Sequence, residues 1–330
     1  MPDYLVLGSC LRSELPFPEL VESRGREPKW ILSLGSLGAD DGEEVLSDTR
    51  LSAGCRIRLS RVGGHLRFSH SCAGTFELRD NGREIVFDAD RAVNVDAART
   101  DLVARLLLMS ADQDRVTWLH GSAVRIADTA VAFVGNSGSG KSTLALALAR
   151  HGAQHICDDA LPIEHADPPV VWSSDGTLRL CDDTRMRFAS RVTSVRRESD
   201  GKHVVTQSAV DDAGPHGITG IEDRCIESRT PLSALYVLAP FAPGEGTTES
   251  ATTRRLIAPS AAVASLIQHL KLGALVAPDY PVRKMKQLGE IVRAVPVFEL
   301  RIPRDWSLMG DVVSQLAAWH NGAETAGIAQ

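Results

Sequence analysis

Gly135-Asn136-Ser137-Gly138-Ser139-Gly140-Lys141-Ser142-Thr143 fits G-x-x-x-x-G-K-[ST], the pattern of a loop whose backbone amides cradle phosphates. Ala130-Val131-Ala132-Phe133-Val134, just before it, is an apolar, partly β-branched run and reads as a buried strand. Thr143-Leu144-Ala145-Leu146-Ala147-Leu148-Ala149, just after it, are strong helix formers. Strand, glycine-rich turn and helix together form the setting in which this pattern holds a nucleotide.

The residue types follow from the task. A chain that curls around a polyphosphate must clear side chains from the turn, and Gly135, Gly138 and Gly140 do so. The amides of Gly135 to Thr143 then form an anion nest, reinforced by the positive end of the following helix. Lys141 supplies a mobile charge for the β- and γ-phosphates, and Ser142 a hydroxyl for the Mg²⁺ that bridges them.

His151-Gly152 ends the helix, glycine suiting the left-handed position past a C-terminus. Ala153 to Cys157 then reads as a short strand with Asp158-Asp159 at its carboxyl end, the end where ligands bind in open parallel sheets. One of two carboxylates beside a phosphate site can hold metal while the other accepts the proton of an attacking hydroxyl. The interval is short; ordinary P-loop ATPases and GTPases place their metal-binding aspartate on a more distant strand. Neither a Leu-Ser-Gly-Gly-Gln stretch nor an Asn-Lys-Xaa-Asp guanine-reading motif is present.

Leu119-His120-Gly121-Ser122-Ala123-Val124, the loop at Gly135–Thr143, Gly152 and Asp158-Asp159 together resemble the HPr kinase/phosphorylase C-terminal domain and its relatives. Phosphoenolpyruvate carboxykinase is a more distant likeness. The resemblance covers roughly residues 118–163. It implies an α/β (or α+β) fold with a P-loop nucleotide-binding core of that type, and ATP and Mg²⁺ as cofactors. It also implies that Lys141 and the loop amides hold the phosphates, that Ser142 and Asp159 hold Mg²⁺ and that Asp158 is the base, the two aspartates being interchangeable in these roles. His120, which alone reads as a structural hydrogen-bonder, is placed by the resemblance near the metal and the acidic pair. The family's second, glycine-rich signature is missing; Thr177 to Arg187 stands there instead. That departure leaves HPr as substrate, and the phosphorylase reaction, without support. The N-terminal part looks more like HPr-kinase-related proteins of peptide-modification systems, including lasso-peptide precursor kinases.

The expected activity is therefore transfer of the γ-phosphoryl group to a hydroxyl, a serine on a peptide or protein being the leading acceptor. A small-molecule kinase acting on serine or a sugar, and a non-transferring ATP-dependent switch, are the alternatives. A net charge of −6 over 330 residues argues against a broad nucleic-acid surface. No run is long enough to span a bilayer. Leu7-Gly8-Ser9-Cys10 imitates a lipoprotein cleavage site, but Leu5-Val6-Leu7 is too short for a signal segment. Six scattered cysteines without a Cys-x-x-Cys pair read as reduced thiols, and the chain as cytoplasmic. Symmetric homo-oligomerisation is the general prior.

Along the chain, residues 1–95 read as an N-terminal, mostly antiparallel β module, with Gly63-Gly64 and Asp80 to Arg83 as turns. Residues 96–320 read as the kinase domain and 321–330 as a frayed tail. Within the kinase domain, helices are expected over 97–109, over 260–272 with Ser260 as cap, over 282–294 and over 305–319. Strands are expected over 118–126, 232–238 and 297–300. Residues 209–229 read as a substrate-closing loop and 241–248 as an exposed one. Arg185, Arg187, Arg191, Arg196 and Arg197 form a basic run that reads as solvated surface, the alternative being a contact for nucleotide phosphates or an acidic peptide. Lys202 is a weaker candidate for the phosphates.

Overall fold

The computed structural model describes residues 1–23, 25–39, 42–50, 54–89, 94–111, 115–173, 177–188, 196–197, 202–206, 229–239, 251–272, 280–303 and 305–321. The expected loop over 209–229, apart from Arg229, the one over 241–248 and the tail from 322 lie outside the described residues. So do Arg191 and the side chains of Arg196 and Arg197.

The N-terminal part is a nine-stranded sheet made of β1 (Asp3–Val6), β2 (Ser9–Ser13), β3 (Val21–Glu22), β4 (Trp30–Leu34), β5 (Glu44–Arg50), β6 (Arg56–Val62), β7 (His65–His70), β8 (Gly74–Arg79) and β9 (Glu84–Asp88). Its order is β3-β1-β2-β4-β9-β8-β7-β6-β5. Pairing is antiparallel except β2 with β4 and β4 with β9. The alternation in Arg56 to Val62 sends Ile57 and Leu59 inward and leaves Arg56 and Arg61 exposed, as a half-buried strand requires. Cys55 and Cys72 are joined by a disulfide across the open end of the β6–β7 hairpin. This corrects the expectation of reduced thiols throughout: 17 residues apart in sequence, the two cysteines are brought together by the strand register. Among the described residues, Cys10, Cys157 and Cys181 take no part in a disulfide.

The connection to the second sheet is helical: α1 (Val95–Asp101), a π-helical turn over Leu102–Leu106, and α2 (Leu107–Ala111). Asn94 caps it by accepting from the Ala97 amide at 3.0 Å. The buried stripe includes Leu102 and Leu106. The helix expected over 97–109 is therefore present, and a π-helical turn runs through it.

The second sheet is mixed. Its path runs β10 (Val116–Leu119), β14 (Leu161–Glu164), β15 (Val170–Val171), β19 (Thr230–Leu238), β12 (Thr129–Val134), β11 (Gly121–Ile126) and β13 (Gln154–Cys157). β21 (Val297–Arg301) adds to β19, and β20 (Thr253–Leu256) to β21. A further small sheet orders β16 (Thr177–Leu180), β18 (His203–Thr206) and β17 (Arg196–Arg197) as β16-β18-β17. The remaining helices are α3 (Lys141–Arg150), α4 (Asp182–Phe188), α5 (Pro259–Ile267), α6 (Tyr280–Ala294) and α7 (Met309–His320).

β12 is buried on both faces, which explains its unbroken apolar run. Val131 and Phe133 enter one buried cluster with Leu144, Leu148, Val312 and Leu316 from α3 and α7. Ala130, Ala132 and Val134 enter another, which also takes in Leu11, Trp30 and Phe76 of the N-terminal sheet and Leu288 of α6. One apolar core thus runs from the N-terminal sheet into the second one. No described helix is long and apolar enough to cross a membrane.

Two expected elements change. The strand over 118–126 is broken at His120, so β10 and β11 pair with different partners. The helix expected over 260–272 starts at Pro259, has Ala258 rather than Ser260 at its N-cap, and stops at Ile267. Leu270 then bridges Leu119, with the His120 amide donating to the His269 carbonyl at 2.7 Å and the Lys271 amide to the Trp118 carbonyl at 2.9 Å. Pairing with the interrupted strand offsets the lost helical turn.

Candidate phosphate-binding site

The site forms where three chain segments reach one edge of the mixed sheet. β11 is antiparallel to both β12 and β13, so those two run in the same direction. The carboxyl ends of β12 and β13 and the start of β11 therefore share an edge. The loop 135–140 leaves β12 there, Asp158 and Asp159 leave β13, and His120 precedes β11. The ligand end is thus reached in a mixed sheet rather than the parallel one from which the expectation was drawn.

Gly140, at φ +100°, takes the N-cap of α3 in the left-handed region where a side chain is strained. That turns the chain into the helix and aims its first amides at the cavity. Lys141, 6% exposed, bends back to donate to the carbonyls of Gly135 at 2.8 Å and Asn136 at 3.0 Å. Burial lowers its pKa to about 8, against the opposing pull of Asp158 and Asp159.

Asp158, 1% exposed, collects three donors. Ser122 Oγ donates to Oδ1 at 2.6 Å, Ser142 Oγ to the same oxygen at 2.8 Å, and the Arg179 amide to Oδ2 at 2.9 Å. Ser142 therefore pairs with Asp158 and not with Asp159, the partner expected for it at the metal. The reason is local. Asp159 sits at φ +66°, a left-handed conformation rare for a residue with a side chain, and Ala160 donates back to the Asp158 carbonyl at 2.8 Å. In that tight turn the neighbouring carboxylates diverge.

Asp159 faces three nitrogen-bearing side chains. His120 Nδ1 lies 3.1 Å from its Oδ1 and Arg179 3.4 Å from its Oδ2, and Lys271 Nζ donates to Oδ2. Burial alone would raise this carboxyl, but Lys271, Arg179 and His120 outweigh it and hold the pKa well below the usual value. Lys271 is lowered by burial, with Asp159 opposing. His269 is drawn down to about 4 by burial and by Lys141 and His120, so it is neutral at pH 7.

Two cavities meet here. One is lined by Ser137, Gly138 and Gly140 to Thr143, both aspartates, Arg179, Cys181, Thr184 and Lys202. The other lies between Gly135–Ser137, Lys271 and Arg105 on one side and Thr49 and Ile57 of the N-terminal sheet on the other. His120 and Ser137 line both. Thr143 Oγ1 and Thr184 Oγ1, 2.7 Å apart, tie α3 to α4 at the rim of the first.

Of the residues singled out in the sequence, His120, Gly135 to Gly138, Gly140 to Thr143, Asp158 and Asp159 line the two adjoining cavities, Ser139 lines neither, and Lys202 reaches the first. Ser122, Arg179 and Lys271 were missed. Ser122 carries a signal, since it stands two residues from His120 and period-two alternation puts both on one face. Arg179 alternates with leucines in Thr177-Leu178-Arg179-Leu180. Lys271 has no local signal; it arrives only through the bridge to Leu119.

No family model matches the chain. Two curated proteins match part of it. The HPr kinase/phosphorylase of Clostridium botulinum (strain Alaska E43 / Type E3) is 30% identical over 123 residues, covering 36% of this chain and 40% of that protein. The HPr kinase/phosphorylase of Clostridium botulinum (strain Eklund 17B / Type B) is 29% identical over 123 residues, with the same coverage. The match thus spans about two fifths of the length of these relatives. Among solved structures, that of the Hpr(Ser) kinase/phosphatase from Coxiella burnetii aligns with a TM-score of 0.34 and 13% identity, covering 63% of this chain and 95% of that one. This last likeness is too low to carry function across. Over the stretch shared with the two curated relatives, the chain is HPr-kinase-like.

Proposed function

We propose that the chain is an ATP-dependent kinase that moves the γ-phosphoryl group to a hydroxyl, with a serine of a peptide or protein, including ribosomally made precursor peptides, as the acceptor class. The observation that carries this reading is the hydrogen bond to Asp158, at the end of β13, from Ser142, which follows Lys141 on the first turn of the helix after the glycine-rich loop. The kinship with proteins named HPr kinase/phosphorylase supports it.

In this reading the amides of Gly135 to Thr143 and Lys141 hold the triphosphate, Lys141 exchanging its loop carbonyls for phosphate oxygens. Ser142 and Asp158 present two adjacent hard oxygens, a donor set suited to Mg²⁺, which keeps several waters. When bound, that ion would supply positive charge that offsets the negative charge of the phosphates. The metal role passes to Asp158, which leaves Asp159, flanked by His120, as the proton acceptor. The acceptor oxygen bonds to the γ-phosphorus as the bond to the β–γ bridging oxygen breaks. ADP leaves and the hydroxyl proton goes to Asp159. Positioning and charge neutralisation supply most of the rate.

The two cavities suggest a division of space. The nucleotide takes the one along Ser137 to Thr143. The acceptor takes the one that opens toward Thr49 and Ile57, with His120 at the junction. Residues 1–95 then form the wall of an acceptor site for a kinase domain of residues 96–320. Incubation of the full chain with Mg-ATP and a panel of serine peptides, free serine and sugars, followed by mass spectrometry, tests the reading. A phosphoserine peptide supports it, phosphorylated serine or sugar moves it to a small-molecule kinase, and ADP without a phosphorylated product makes the chain a hydrolysing switch.

A further inference from the structure

We propose that Cys55, His70 and Cys72 form a zinc-type metal site when the Cys55–Cys72 bond is reduced. One ligand atom from each of these residues lies within 4.8 Å of the other two. Ligands about 2.0–2.3 Å from a tetrahedral zinc ion stand roughly 3.5–3.8 Å apart, so closure needs only a small adjustment.

The histidine is already prepared. His70 is buried, and its Nδ1 lies 2.5 Å from Asp101 Oδ2 on α1. Arg105, one turn later, pairs with the other oxygen of Asp101. A carboxylate behind one ring nitrogen fixes the tautomer and orients the other nitrogen toward a metal. That other nitrogen, Nε2, is buried and has no hydrogen-bond partner among the described residues. An unsatisfied buried imidazole nitrogen is costly, and a metal ion would satisfy it. Cys55 and Cys72 are half-buried, which leaves a path for the ion and a fourth position for water.

Two thiolates and an imidazole suit Zn²⁺ and disfavour Mg²⁺ or Ca²⁺. The chemistry balances with a dithiol as reductant. It gives two electrons and two protons to the paired sulfurs and leaves as its own disulfide. The divalent ion then displaces both thiol protons, so disulfide and metal exclude one another.

The test measures metal content in the full chain. Protein reduced with a non-chelating phosphine should hold one Zn²⁺ per chain, and protein with the disulfide intact none. Cobalt(II) added to the reduced chain should give thiolate-to-metal charge-transfer absorption, lost in the C55S/C72S double variant. Asp101→Asn should weaken zinc binding by about 10–100-fold. The site is disproved if reduced wild type binds no more zinc than oxidised wild type. It is equally disproved if the cobalt spectrum survives in the double variant, because the ion is then held elsewhere.

Discussion

Ser142 Oγ donates to Asp158 Oδ1 at 2.8 Å, so the first turn of α3 and the carboxyl end of β13 meet on a single carboxylate oxygen. Ser122, donating to the same oxygen at 2.6 Å, adds the start of β11. This one atom ties together the helix after the glycine-rich loop and the ends of two strands.

Asp158→Asn keeps the shape and removes the charge. Phosphoryl transfer should fall by about 10²–10³-fold or more, a loss of the size seen when one preorganised electrostatic group is removed. The Mg²⁺ concentration needed for half-maximal transfer should rise. A magnesium titration of the initial rate reads both effects; an unchanged magnesium dependence would move the metal role back to Asp159.

Asp159→Asn should behave differently. Transfer should fall by about 10²–10⁴-fold, the range for loss of a general base, while Mg-ATP affinity measured by calorimetry stays close to wild type. Lys271→Met removes the cation that donates to Asp159 and contributes to its lowered pKa. The pKa of Asp159 then rises, and the acidic limb of the pH–rate profile should move to higher pH.

Lys141 gives a pH signature. Burial lowers it from 10.5 to about 8, so the folded chain releases this proton well before the unfolded chain does. The cost of burying the cation is present at pH 7 and is relieved as pH rises from about 8 toward 10.5. Phosphate binding favours the charged form. Mg-ATP affinity should therefore fall as pH rises through 8, and binding near pH 8 should take up protons. Calorimetry in two buffers of different ionisation heat measures that uptake.

Gly121→Ala probes the edge itself. A Cβ there would lie 2.6 Å from the Phe133 carbonyl oxygen, a backbone atom with little freedom to retreat. The strain should cost about 1–3 kcal/mol by denaturant unfolding. It should also reduce transfer, because the neighbouring His120 shifts with it.

The glycine-rich loop was legible because its signal is local. Glycines at the turn, Lys141 and Ser142 on the first helical turn and the apolar run of β12 all lie within residues 130–149. The N-terminal β character was legible from the alternation in Arg56 to Val62 and the turn at Gly63-Gly64. What depended on distant pairing was not. The break at His120, the early end of α5 and the arrival of Lys271 are one event, the bridge between Leu119 and Leu270, and neither segment announces it alone. The pairing of Ser142 with Asp158 rather than Asp159 goes with the left-handed backbone of Asp159, which composition does not encode. The pairing of Cys55 with Cys72 follows from strand register rather than from cysteine spacing.

The most direct test is transfer of label from γ-³²P-ATP in the presence of Mg²⁺ to a serine-containing peptide, comparing wild type with Lys141→Ala and Asp159→Asn. The account predicts a labelled phosphoserine with wild type and loss of label with either variant. Label on the peptide at wild-type rates from both variants, or no detectable Mg-ATP binding by the wild-type chain, would contradict it.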